Sequence, residues 1–102
     1  MFQHISQEEA RELMARRDDV IILDVRREDE FAQGHIPGAI CIPVETIGDD
    51  DIPQLPDLNA TILVYCRSGR RSVQAAIKLD ELGYTDIREF GGILTWKGPV
   101  VS

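Results

Sequence analysis

Cysteine, histidine and tryptophan are scarce in this chain of 102 residues: two, two and one respectively. Small secreted domains are held together by a framework of disulfides, and Cys41 and Cys66 are too few to make one. We read them as unpaired thiols in a reducing, cytoplasmic setting. His4, His35, Cys41 and Cys66 lack zinc-like spacing, so neither a metal nor another cofactor is expected. No apolar run approaches the roughly 20 residues that a membrane-spanning helix needs. Met1 to Ser6 lacks the basic and apolar regions of a secretory leader and reads as a native start. Positive charge is also short, with 11 Lys and Arg against 18 Asp and Glu and a formal net charge of −7. That balance argues against nucleic acid or an anionic membrane as a partner. Repeats, low-complexity segments and linkers are absent, so residues 1–102 are expected to form one domain, with a monomer as the expected state.

What is present is an ordinary globular composition, 43% hydrophobic and 28% charged, sufficient for a core without staples. The few cations are unevenly placed. From Leu58 through Leu79 there is no acid, while Arg67, Arg70, Arg71 and Lys78 fall there; the rest of the chain holds all 18 acids and seven bases. One positive segment is set in a negative protein.

Taken in order, Phe2 to Ile5 suits a short strand. Ser6 and Glu9 form a capping-box pair opening a helix whose apolar face is Ala10, Leu13 and Met14, and which ends near Arg16-Arg17. Val20 to Leu23 is a continuous β-branched run of the kind buried on both faces of a parallel sheet. Arg27 to Gln33 is helix-compatible, anchored by Phe31 and closed by Gly34 as a left-handed C′ glycine. Pro37-Gly38 predicts a type II turn. Ala39 to Ile42 suits a strand, Val44 to Ile47 a helical turn, and the rest up to Asn59 a loop whose acids Asp49 to Asp51 face solvent. Thr61 to Tyr65 is the clearest central strand. A helix is expected from about Ser72 to Leu82, with Val73, Ala76, Ile77 and Leu79 or Leu82 inward and Gly83 closing it. Asp86 to Phe90 suits a last strand, Gly91-Gly92 a turn, and Ile93 to Lys97 a short terminal helix with Trp96 as core cover. Strands alternate with helices, so the fold class is α/β with a mostly parallel sheet of about five strands in a three-layer domain.

In such sheets ligands bind beyond the carboxyl ends of the strands. One such end carries Cys66-Arg67-Ser68-Gly69-Arg70-Arg71-Ser72. A strand, a tight basic turn and a helix N-terminus aim unpaired N–H groups and the helix dipole at one spot, which makes an anion site and favours a thiolate there. Cys66 is therefore the candidate nucleophile. Ser68 and Gly69 let the backbone curl into a nest of N–H groups, with Gly69 at positive φ. Of Arg67, Arg70 and Arg71, one or two are expected to bind an anionic substrate while the others face solvent or a partner. Ser72 suits the helix N-cap, and its hydroxyl is within reach of the sulfur. Asp24 and Arg26, at another strand end, read first as an ion pair holding that end and the Gly34 to Ala39 turn, and otherwise as support at the rim of the site. His35 reads as structural. Tyrosine-phosphatase sites also combine Cys, a nest and Arg, but four residues lie between Cys66 and Arg71, one fewer than in that pattern. The smaller cradle suits sulfur better than a tetrahedral phosphate.

These stretches resemble the single-domain rhodaneses, the thiosulfate sulfurtransferases. Ile22 to Arg26, Glu30-Phe31 and Gly34 to Ala39 are similar to that family's first signature. Cys66 to Ser72 is similar to its active loop, and Leu82-Gly83-Tyr84, Gly91-Gly92 and Trp96 to its C-terminal signature. Cys41 departs from the pattern, in which Asn often follows Ala-x, without touching the catalytic loop. The resemblance implies transfer of a sulfur atom from thiosulfate to cyanide or a thiol acceptor through a Cys66 persulfide. A sulfur-relay module loaded by a partner protein, and a phosphatase or arsenate reductase on the same fold, are the alternatives.

Overall fold

The computed structural model describes residues 1–48 and 50–102. Its elements follow in the order β1 (Gln3–His4), α1 (Gln7–Arg16), β2 (Ile21–Asp24), α2 (Glu28–Gln33), β3 (Ile40–Cys41), a 3-10 turn (Val44–Thr46), β4 (Thr61–Cys66), α3 (Arg70–Glu81), β5 (Asp86–Gly92) and a second 3-10 turn (Ile93–Thr95). The strands form one five-stranded parallel sheet in the order β1-β5-β4-β2-β3. β4 lies at the centre and is buried along its whole length, which explains its unbroken apolar run. Alternation along β4 divides the core in two. Ile62, Val64 and Cys66 face a cluster with Ala75, Ala76 and Leu79 of α3. Leu63 and Tyr65 face the opposite cluster, with Ile5, Ala10 and Phe90 and with Leu13 and Met14 of α1 packed against it. The domain is therefore the three-layer α/β arrangement expected.

Local signals place several boundaries. The capping box at α1 forms in both directions, Glu9 N–H to Ser6 Oγ at 3.0 Å and Ser6 N–H to Glu9 Oε1 at 3.2 Å. Gly38 takes φ of 84° and Ala39 N–H closes on Ile36 O at 3.0 Å, the Pro-Gly turn as read. Gly83 takes φ of 100° after α3, and Tyr84 N–H returns to Leu79 O at 3.2 Å.

Five readings are corrected. Gly34 ends α2 at φ of 164°, in extended rather than left-handed backbone, and a Cβ there would lie 3.0 Å from Val100 Cγ1, closer than an ordinary contact. Helix α3 begins at Arg70, with Gly69 rather than Ser72 at its N-cap. The buried stripe of α3 is Ser72, Ala75, Ala76 and Leu79, while Val73 and Ile77 are 37% and 47% exposed. Small side chains on that stripe let the helix lie close to the sheet, and the larger apolar residues are left on the rim. Gly91-Gly92 is the end of β5, not a turn outside it. The segment after Val44 is irregular but not merely a surface loop, since Ile47, Ile52 and Leu55 enter the α3-side core. Asp50 and Asp51 are exposed as expected, and Asp49 lies outside the described residues.

Candidate active site

Cys66 is the last residue of β4 and is 1% exposed. Its side chain points to the α3 face of the sheet. Arg67, Ser68 and Gly69 make the whole connection to α3, which such a short loop achieves because Gly69 takes φ of 103°. The reversal turns Gly69 N–H onto Cys66 Sγ at 3.0 Å. It also aims the positive end of a 12-residue helix at the same atom. Ser72, in the first turn of α3 and fully buried, sets its Oγ 3.5 Å from Sγ. The loop is backed by β5: Cys66 pairs with Gly92, and Leu94 N–H donates to Arg67 O at 3.1 Å.

The three arginines separate. Arg71 makes a two-pronged ion pair with Glu30 of α2, at 2.7 and 3.0 Å. The hydrogen bonds from Arg71 hold the Glu30 carboxyl down to about 2. Arg67 and Arg70 are exposed and form no ion pair among the described residues.

Asp24 and Arg26 are both buried and paired, Arg26 Nη2 to Asp24 Oδ2 at 2.7 Å. The same Nη2 donates to Gly34 O at 2.6 Å, tying the end of β2 to the turn after α2. Asp24 stands beside Tyr65 in the sheet register, and Arg26 lies over the Tyr65 ring. Tyr65 Oη in turn accepts Ile36 N–H at 3.1 Å. This network occupies the sheet face opposite Cys66, and none of its hydrogen bonds reaches the loop. His35 is used structurally: Nδ1 meets Phe31 O at 2.9 Å and its ring stacks on Phe31. Burial pushes the Cys41 thiol up to about 11, and Cys41 and Cys66 are unpaired.

The roles of two acidic residues near the site are not evident from the sequence. Glu30 is marked there only as part of the first signature, which does not show its pairing with Arg71. Glu89 is 1% exposed, behind Ser72, and its carboxylate takes Ser72 Oγ–H at 2.6 Å, Gly91 N–H at 2.7 Å and His4 Nδ1 at 2.5 Å. A signal for it existed: Ile87 and Glu89 share one face of β5, so Glu89 is a charge at an inward position.

A rhodanese-like domain model matches residues 6–98. Thiosulfate sulfurtransferase PspE of Escherichia coli is 41% identical over 71 residues, covering 70% of this chain and 68% of that protein. Thiosulfate sulfurtransferase GlpE of Coxiella burnetii is 34% identical over 98 residues, covering 95% of this chain and 89% of the other. Among solved structures, the human single-domain sulfurtransferase TSTD1 superposes with a TM-score of 0.83 at 30% identity, over 94% of this chain and 97% of its own. A parallel sheet with a cysteine loop at its centre, a family model spanning nearly the whole chain, and relatives alike in sequence and in fold lead to one statement: this chain belongs to the rhodanese family.

Proposed function

We propose that the chain is a thiosulfate sulfurtransferase working through a persulfide on Cys66. The observation that carries this reading is Cys66 Sγ at the end of the central strand, taking Gly69 N–H at 3.0 Å at the N-terminus of α3. The names of the relatives, thiosulfate sulfurtransferases among them, support the choice of donor. In the first half-reaction the Cys66 thiolate attacks the outer sulfur of thiosulfate. The sulfur–sulfur bond of the donor breaks, sulfite leaves with its electron pair, and a Cys66 persulfide remains. In the second, cyanide or a thiolate attacks the terminal sulfur, and Cys66 recovers its electron pair as thiolate. The cycle as written uses no cofactor and no second subunit.

Each residue of the loop has a part in this reading. Gly69 N–H and the dipole of α3 stabilise negative charge on the sulfur being transferred. Ser68 and Gly69 supply the curl. Arg67 and Arg70 lower the repulsion between a dianion and a thiolate. Arg71 holds the start of α3 to α2 through Glu30. Asp24 and Arg26 support the sheet end from the far face. That Cys41 and Cys66 are both unpaired supports a reducing, cytoplasmic setting.

Incubation with thiosulfate followed by intact-mass measurement tests the proposal. One added sulfur atom, mapped to Cys66 and removed by cyanide, is the expected result. A chain that gains nothing from thiosulfate but takes sulfur from a partner protein's persulfide is a relay module instead. The exposure of Arg67 and Arg70 beside the nucleophile favours that as the second reading, since they offer an acidic partner a place to dock. Phosphate release from an aryl phosphate that is lost in Cys66→Ser would overturn both.

A further inference from the structure

Behind Cys66 runs a line of polar groups that the transfer as written does not use. The Ser72 hydroxyl carries one hydrogen. Glu89 Oε2 at 2.6 Å is the nearest acceptor for it, ahead of Gly69 O at 3.1 Å and Gly91 O at 3.3 Å. Only oxygen lone pairs are then left toward Cys66 Sγ at 3.5 Å, an arrangement in which the thiol S–H donates to Ser72. A thiolate would face those lone pairs, with a buried carboxylate next in line. Glu89 completes its set of donors with Gly91 N–H at 2.7 Å and His4 Nδ1 at 2.5 Å. The His4 side chain is 71% exposed, so the line leads from the buried sulfur across β4, α3, β5 and β1 to solvent.

We propose that Glu89 is a positioning residue of sulfur transfer: by claiming the Ser72 hydrogen, it opposes the thiolate that Gly69 N–H and the α3 dipole favour at Cys66. The thiolate forms when the thiol proton leaves to solvent and Ser72 turns its hydrogen from Glu89 to the sulfur. Gly91 and His4 keep the Glu89 carboxylate hydrogen-bonded during that swing. The other charged groups around the sulfur are Arg71, committed to Glu30 of α2 and also near Glu45, and the loop arginines Arg67 and Arg70. From α1 the neighbour is the uncharged Gln7, which donates to Gly92 O at 2.9 Å. Glu89 is the acid bonded to the residue that touches the sulfur.

The proposal rests on Cys66 being the nucleophile, and its test does not depend on the donor. The rate of carbamidomethylation of Cys66 by iodoacetamide, a neutral reagent, is followed against pH with peptide-resolved mass spectrometry. Glu89→Gln is expected to move the inflection down by about one pH unit, the order of a hydrogen-bond and like-charge effect on one thiol. In a Ser72→Ala background the same change is expected to move it by less than a third as much, because the link is gone. His4→Ala, an exposed change that spares the core, is expected to move it up, since Glu89 loses a donor and holds Ser72 more firmly. An unmoved inflection in Glu89→Gln, or a shift undiminished in Ser72→Ala, overturns the proposal. If Glu89→Gln does not fold, an inflection in His4→Ala that stays put or moves down overturns it. A chain that never loads sulfur from thiosulfate yet shows these shifts would refute the donor and leave this role standing.

Discussion

Gly92 shows how much of the active loop depends on one missing methyl group. Its backbone, at φ of −142° and ψ of 161°, suits any residue. A Cβ there would lie 2.2 Å from Arg67 O and 2.6 Å from Ser68 N, inside the backbone of the loop. Gly92→Ala must therefore push the loop off β5 or open the β4–β5 pairing. We expect a loss of about 1–3 kcal/mol, the usual cost of overpacking, together with at least tenfold slower persulfide formation; urea unfolding and a thiosulfate loading time course check the two parts. Glu30 and Arg71 make the second prediction at this scale. The folded-state value of Glu30, lowered from 4.5 to about 2, means that the pair stabilises the fold fully above the unfolded-state value. That stabilisation is lost as pH falls from about 4.5 through about 2. Arg71→Gln should thus be less stable than the parent at neutral pH, and the two should converge toward pH 2. Denaturation midpoints measured across that range decide it.

At the scale of elements, α3 both aims its N-terminus at Cys66 and covers one face of the sheet. Its inward stripe of Ser72, Ala75, Ala76 and Leu79 leaves no room at the alanines, which are both 0% exposed. Ala76→Leu should cost about 1–3 kcal/mol through overpacking. Val73→Lys and Ile77→Lys, on the rim, should stay within about 0.5 kcal/mol of the parent. Chemical denaturation of the three variants distinguishes this orientation from one with Val73 and Ile77 inward, in which both lysine variants would be strongly destabilised. The orientation was not legible from hydrophobicity, because α3 packs by small size rather than by apolar bulk. The capping box of α1, the Pro37-Gly38 turn and the stop at Gly83 were legible, since each is completed within a few residues of itself. Gly34 was legible as a stop but not in its close approach to Val100, which comes from the far end of the chain.

Across the whole molecule, the charge pattern sets how an anion finds the site. Arg67 and Arg70 lie exposed on a chain whose formal net charge is −7. In the proposed reaction these two cations offset the negative net charge for thiosulfate, and salt screens their pull. Arg67→Glu with Arg70→Glu should raise KM for thiosulfate at least tenfold, with a smaller effect on kcat. Raising ionic strength should lower kcat/KM in the parent and raise it in the double variant. Steady-state thiocyanate formation at two salt concentrations reads both.

Sequence alone determined the alternation of strands and helices, the strand–turn–helix cradle around Cys66 and the family, because each is written in neighbouring residues or in motifs kept in order. The tertiary structure decided what stands behind the cradle. The order β1-β5-β4-β2-β3 brings the last strand beside the central one and the first strand beside the last. That puts Glu89 against Ser72, His4 against Glu89, and the bare backbone of Gly92 against Arg67. Hydrogen bonds and close contacts between residues so far apart in the chain exist only once sheet order and register are set, and no local pattern of side chains encodes them.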